Sequence, residues 1–196
     1  MIANDDRRLR LVAITDDLRD GVEGLVTRVL SAERGGATML LLRLKHADAR
    51  SLVEAGRALI AALQIPVVIN ERLDVALAIG AAGVHLNASS VPVVAVRPHV
   101  PPEFLIGGSV SDASDVASAA AADYVTIGPV FGAGAATMGL EGFRRLALAC
   151  GRPAIAVGGI DVDSAMAVRA AGAAGIAVIR TVLGSVDPEA AAALLA

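Results

Sequence analysis

The sequence predicts a single α/β domain closed as an eight-fold barrel, and three observations carry that expectation. Short apolar runs rich in Val, Ile and Leu alternate with helical stretches along the chain, the pattern of a parallel sheet covered by helices. The alternation has a period of two βα units. Small-residue junctions precede the second, fourth, sixth and eighth strands (Gly35-Gly36-Ala37, Ala81-Ala82-Gly83, Ala121-Ala122-Asp123, Ala173-Ala174-Gly175), whereas Pro66, Pro101-Pro102 and Pro153 lead into strands between them. Polar residues gather at the carboxyl ends of the strands while the opposite ends carry mainly Pro, Gly and Ala, as on barrels whose site lies at one rim. An open doubly wound sheet would need fewer strands or a longer chain, and its Gly-x-Gly-x-x-Gly fingerprint after the first strand is absent. The expected fold is a (β/α)8 TIM barrel over residues 1–196.

Leu9–Ile14 reads as strand 1, closed by Thr15-Asp16-Asp17, and Gly21–Glu33 as a helix with Leu25, Val26, Val29 and Leu30 on one face. Gly35-Gly36 suits a left-handed helix exit. Thr38–Leu42 is strand 2, followed by Arg43-Leu44-Lys45. Asp48 or Ser51 can cap the next helix, and Ser51 with Glu54 has capping-box spacing. Pro66–Asn70 is strand 3, Arg72–Ile79 a short helix, Gly83–Leu86 strand 4, and Val91–Arg97 a weak helix bounded by prolines. Phe104–Gly108 is strand 5, Asp112–Ala121 an Ala-rich helix and Tyr124–Ile127 strand 6. Strands 7 and 8 are Pro153–Val157 and Gly175–Ile179, and the remaining helices are Leu140–Cys150, Asp163–Ala171 and Pro188–Leu195.

Hydrophobic residues make up 55% of the chain, but much of that is Ala and only 2% is aromatic, so packing must rely on small and branched aliphatics. The shortage of aromatics argues against a base-stacking nucleic-acid surface. A net charge of −3 with no basic run argues against broad affinity for nucleic acid or anionic lipid. One cysteine, Cys150, allows no internal disulfide and no multi-thiolate metal site. No run is long and apolar enough to span a membrane, and the N-terminus lacks a signal-peptide core, so a cytoplasmic location is expected.

An anionic ligand would therefore be held by a few placed groups. Gly158-Gly159 after strand 7 and Arg180-Thr181 after strand 8 form an expected phosphate cradle of bare N–H groups, a fixed charge and a hydroxyl, each strand feeding a helix N-terminus. Strand parity places Met39, Leu41, Arg43 and Lys45 on one face, and two cations at one strand end suit a phosphate or pyrophosphate. Either could instead pair with Asp16 or Glu71. Asn70 could bind ligand or cap a helix, and Glu71 could be a metal ligand or a first-turn carboxylate. His85, between Val84 and Leu86, could be a core histidine or a proton-transfer group. His46 and His99 lie in polar or Pro-rich surroundings and are expected at the surface.

Taken in order, Leu42-Arg43-x-Lys45, Val68-Ile69-Asn70-Glu71-Arg72, Gly83-Val84-His85-Leu86, Ile106-Gly107-Gly108-Ser109, Asp123-Tyr124-Val125, Gly128-Pro129-Val130-Phe131, Ala156-Val157-Gly158-Gly159-Ile160 and Gly175–Ile179 resemble thiamine phosphate synthase and its TenI-like thiazole tautomerase relatives. The match spans nearly the whole chain. The resemblance implies a thiamine-biosynthesis barrel binding a thiazole phosphate on Gly159, Ile179 and Arg180. In the synthase branch it implies an aminopyrimidine pyrophosphate with Mg²⁺ held by Arg43, Lys45, Asn70 and Ser109, with pyrophosphate lost to a pyrimidine cation that the thiazole nitrogen captures. A homodimer is an open expectation.

Departures from the synthase pattern shape the expected reaction. The family's glutamine and glutamate in the strand-2 motif fall at Leu41 and Leu44, its two metal-binding aspartates at Glu71 and Ser90, and its Thr/Lys-rich loop at Gly132–Ala136. Serine is a poor Mg²⁺ ligand, leaving Glu71 as the metal candidate. Ile14–Asp17, Ser109-Val110-Ser111 and Gly139–Gly142 resemble the tautomerase branch, whose proton transfer on a thiazole carboxylate phosphate needs no metal. That branch's catalytic histidine falls at Pro129, so His85 is the expected catalytic substitute. The leading expectation is a TenI-like proton-transfer enzyme, with a Mg²⁺-dependent synthase and a non-catalytic ligand sensor as alternatives.

Overall fold

The computed structural model describes residues 7–132 and 137–196. Eight parallel strands pair in sequence order and close a barrel, with the last strand returning to the first. They are β1 (Leu11–Ile14), β2 (Met39–Leu42), β3 (Val67–Asn70), β4 (Gly83–Leu86), β5 (Leu105–Val110), β6 (Tyr124–Ile127), β7 (Ala154–Val157) and β8 (Gly175–Val178). The helices are α1 (Gly21–Arg34), α2 (Ala49–Ala62), α3 (Leu73–Ile79), α4 (Val93–Val96), α5 (Val116–Ala119), α6 (Gly139–Cys150), α7 (Val162–Ala170), α8 (Arg180–Leu183) and α9 (Pro188–Ala193). Among the described residues, no helix is long and apolar enough to cross a membrane.

The strands are continuously apolar because both of their faces are covered. Val12, Ile14, Met39, Leu41, Val68, Tyr124, Ile155 and Ala177 fill the barrel interior. Their neighbours Leu11, Leu40, Leu42, Ile69 and Ile176 face outward into a larger core beneath the helices. Burying each such aliphatic side chain contributes about 1.5–3 kcal/mol, so two concentric apolar layers hold the rim in place.

Local chemistry sets the helix ends. Asp48 caps α2, its carboxylate accepting the Ser51 N–H at 2.8 Å, so the first of the two expected caps is used. Asp161 closes α7, accepting the Ser164 N–H at 2.9 Å in a reciprocal capping box. Four expectations are corrected. The weak fourth helix shrinks to α4 plus a 3-10 turn over Arg97–His99, and the fifth is a 3-10 turn at Ala113–Asp115 running into α5. β5 runs two residues past Gly108, which brings Ser109 into the strand. The helix that strand 8 feeds is a separate one-turn element, α8, beginning at Arg180 ahead of the helix expected over Pro188–Leu195.

Candidate active site at the carboxyl rim of the barrel

Gly158, Gly159, Ile179 and Arg180 line one cavity of about 270 Å³ at the ends of β7 and β8. Gly158 and Gly159 have φ of 97° and 62°, conformations that L side chains rarely adopt. A Cβ on Gly159 would lie 2.5 Å from the Phe131 carbonyl carbon and oxygen, so the loop after β6 sits directly against the turn. Only the second strand feeds an open helix start. The N-terminus of α7 is closed by Asp161, whereas Ile179 gives α8 no side-chain cap, leaving its first N–H groups available. Thr181 lines the same cavity, but its hydroxyl hydrogen is already used: it donates to the Ile160 carbonyl at 2.9 Å and ties the two turns together. Arg180 is exposed and has no carboxylate partner among the described residues.

A second cavity, about 440 Å³, lies at the ends of β2 and β3 and is lined by Arg43, Lys45, Asn70, Glu71 and Arg72 among others. The buried Thr15 fixes where Arg43 leaves the sheet. Its hydroxyl donates to the Arg43 carbonyl at 2.9 Å and accepts the Arg43 N–H at 2.8 Å. Arg43 and Lys45 pair with neither Asp16 nor Glu71, and among the described residues neither has a carboxylate partner, which leaves both charges for an anion. Arg72 is not: it donates twice to Asp74, at 2.8 and 2.6 Å, and holds that carboxyl down to about 2. Asn70 closes β3 without capping α3, whose N-cap is Arg72. A larger cavity of about 500 Å³ beside β1 shares Lys45 and His46, but Asp16, Asp17 and Asp48 line it and would repel a polyanion.

Between these cavities, the barrel interior carries a buried polar layer. His85 is 3% exposed, and its Nε2 lies 3.0 Å from Ser109 Oγ and 3.1 Å from Thr126 Oγ1. Burial alone lowers its pKa to about 4, so the ring is neutral at pH 7. The strand register explains the cluster: His85, Gly107 and Tyr124 are paired across β4, β5 and β6, and Ser109 is paired with Thr126 one layer nearer the rim. His85 lines neither anion cavity. Ser109, half-buried near the end of β5, likewise lines neither anion cavity; with Gly108 it borders a small void of about 40 Å³. The sequence assigns no role to Thr15, Tyr124 or Thr126, although the first two lie in the motifs Thr15-Asp16-Asp17 and Asp123-Tyr124-Val125. Period-2 parity along Tyr-Val-Thr-Ile does place Tyr124 and Thr126 on one face, but which face requires the register with β5.

Glu71 has φ of 63°, the only non-glycine residue with positive φ among the described residues, and strain of this kind clusters at functional sites. Its carboxylate accepts from the Asn87 amide, whose oxygen in turn accepts the Ser90 hydroxyl at 3.0 Å. One carboxylate flanked by neutral oxygens is no dedicated metal cage, and no group of three or more His, Cys, Asp or Glu forms one among the described residues. Mg²⁺ commonly binds through one or two carboxylates, with water and substrate phosphates supplying the other ligands, and this donor set fits that mode. Of the altered loop Gly132–Ala136, residues 133–136 lie outside the described residues.

Residues 11–182 match the family model described as thiamine monophosphate synthase. The chain is 41% identical over 203 residues to the thiamine-phosphate synthase of Albidiferax ferrireducens, covering 97% of this chain and 93% of that protein. It is 38% identical over 188 residues to that of Roseiflexus sp., covering 91% and 80%. Among solved structures, thiamine phosphate pyrophosphorylase from Pyrococcus furiosus superposes with a TM-score of 0.85 at 35% identity, covering 96% of this chain and 94% of that one.

Proposed function

Because the chain belongs to the thiamine monophosphate synthase family, we propose that it joins an aminopyrimidine pyrophosphate to a thiazole phosphate and releases pyrophosphate. The observation that favours this reaction is the pair of anion-ready cavities at one rim. Condensing two phosphorylated substrates needs two such sites. Isomerising a single thiazole carboxylate phosphate, the TenI-like reaction, needs one.

The bond changes agree with the residues present. The C–O bond between the pyrimidine methylene and the pyrophosphate breaks, its electron pair leaving on oxygen, and the thiazole nitrogen lone pair forms the new N–C bond. No proton has to move, so no general base is required, in keeping with a neutral, buried His85. A tautomerase would need a base reaching its ligand, which His85 in this position does not provide. Arg43 and Lys45 hold the pyrophosphate and meet the negative charge that grows on it as the C–O bond lengthens. Asn70 and Ser109 offer hydrogen bonds to the pyrimidine substrate, and Glu71 would hold Mg²⁺ beside it. When bound, Mg²⁺ would neutralise pyrophosphate charge. The Gly158-Gly159 turn, the Ile179 and Arg180 N–H groups and the Arg180 side chain hold the thiazole phosphate.

Purified protein incubated with the two substrates and Mg²⁺ is expected to form thiamine phosphate, with turnover lost on chelation. Turnover of a thiazole carboxylate phosphate without condensation would replace this assignment with the tautomerase reading, and binding without either reaction would replace it with a ligand sensor.

A further inference from the structure

Arg43 leaves β2 against a brace that is not itself part of the rim. Ile14 faces Leu41 across β1 and β2, and the Thr15 N–H donates to the Leu41 carbonyl at 3.1 Å. In a regular parallel ladder the next rung would carry the Arg43 N–H to the Thr15 carbonyl. The Thr15 side chain takes that place: its hydroxyl accepts the Arg43 N–H at 2.8 Å and donates to the Arg43 carbonyl at 2.9 Å. One hydroxyl, on a residue 1% exposed, thus satisfies both polar groups of the Arg43 backbone. Valine, which matches threonine in shape, offers neither bond.

The two residues face opposite ways. Thr15 continues the parity of Leu11 and Ala13, which pack beneath the helices, and it lines neither anion cavity. Arg43 continues the parity of Met39 and Leu41, which fill the barrel interior, and it lines the cavity at the ends of β2 and β3. Arg43 is half-buried, whereas Lys45 is exposed in the turn two residues past the clamp. A long side chain costs less to order on a ligand when its backbone is already fixed. We propose that Thr15 is a positioning residue: by clamping the Arg43 backbone from behind, it aims the guanidinium at a bound pyrophosphate and makes Arg43 the preorganised cation of the pair. That this pyrophosphate is a leaving group rests on the synthase reading; the clamp does not.

Calorimetric titration of the full-length protein with inorganic pyrophosphate reads the clamp without turnover. Thr15→Val is expected to weaken binding about 10-fold, and Thr15→Ser, which keeps the hydroxyl, by no more than about twofold. Should the valine variant not fold, Thr15→Cys, with only a weak S–H donor, carries the same expected loss. In an Arg43→Ala background the loss should disappear, because the backbone bonds remain but the guanidinium they aim is gone. Thr38 supplies the control for fold: it closes the opposite end of the same seam, its hydroxyl accepting the Leu11 N–H at 2.9 Å. Thr38→Val should leave pyrophosphate affinity within about twofold. A loss of equal size in the Arg43→Ala background, in Thr15→Ser or in Thr38→Val would make Thr15 a fold-stabilising residue and overturn the proposal. A wild type that binds no pyrophosphate would overturn it together with the synthase reading. The expected binding pattern without condensation of the two substrates would support the clamp and count against the synthase reading alone.

Discussion

At the ends of β7 and β8 the anion-binding groups are mainly backbone, held by two glycines at positive φ and by an uncapped helix start; at the ends of β2 and β3 they are the long side chains of Arg43 and Lys45. A backbone cradle has its geometry set by chain packing before any ligand arrives, since the Phe131 carbonyl and the Thr181–Ile160 bond brace it from two sides. A side-chain site gains charge but must order flexible groups on binding, at a cost of about 0.5–1.5 kcal/mol for each. The contrast matches what each substrate undergoes in the proposed reaction: the thiazole phosphate is only positioned, whereas the pyrophosphate accumulates charge as it leaves.

The sharpest way to break this contrast is a methyl group at the turn. Gly159→Ala places a Cβ 2.5 Å from the Phe131 backbone at a φ of 62°. Left-handed backbone costs a non-glycine residue about 1–2 kcal/mol and overpacking about 1–3 more, so affinity for the thiazole phosphate should fall about 100-fold or further. Pyrophosphate affinity, measured by calorimetry on the same protein, should stay within about twofold, because sites without shared partners behave additively. A parallel loss of both would show that the two ends of the rim are one unit.

Much of this rim was legible in the sequence, and what escaped had a common cause. Strands β4 and β6 were found to the residue because a run of apolar residues between turn signals reports burial on both faces. Gly158, Gly159 and Arg180 were legible because bare glycines and a charge directly after apolar strands have few structural explanations. The Thr15 clamp on Arg43 joins residues 28 positions apart, and the His85–Thr126 contact joins residues 41 apart. Pairings at that separation depend on register, which a local pattern does not encode. The Ala-rich stretch after β5 was overextended as a helix because alanine favours helix everywhere and marks no end, whereas the 3-10 turn is set by Asp112 accepting from Ser114 N–H.

The interior layer between the two halves of the rim has an acid weakness that the backbone cradle lacks. His85 titrates near 4 in the folded protein against 6.5 unfolded. Between those values the unfolded chain binds more protons, so this contribution to stability is complete above pH 6.5, declines as pH falls towards 4, and changes no further below it. The interval corresponds to about 3 kcal/mol. Denaturant unfolding across pH 4–7 should show a slope of about one proton in that window, and His85→Gln should flatten it even if the variant is less stable throughout. A wild-type slope of zero would mean that His85 is charged or solvated, and the interior layer would then not be dry.

The smallest effect is expected at Arg180, and it discriminates best between the two designs. The side chain is exposed and begins α8, where a cation opposes the helix dipole; an arriving phosphate relieves that conflict. Solvent screens an exposed charge pair to about 1 kcal/mol or less, so Arg180→Ala should weaken thiazole phosphate binding about 3–5-fold at low ionic strength. Raising salt towards about 1 M shortens the screening length to about 3 Å, and the difference between wild type and variant should then nearly vanish. The Gly159→Ala loss should persist at the same salt, because it arises from backbone geometry rather than charge. If Arg180→Ala instead matched the glycine variant in size and resisted salt, the cradle would depend on its side chain, and the distinction between a backbone-built and a side-chain-built anion site would fail.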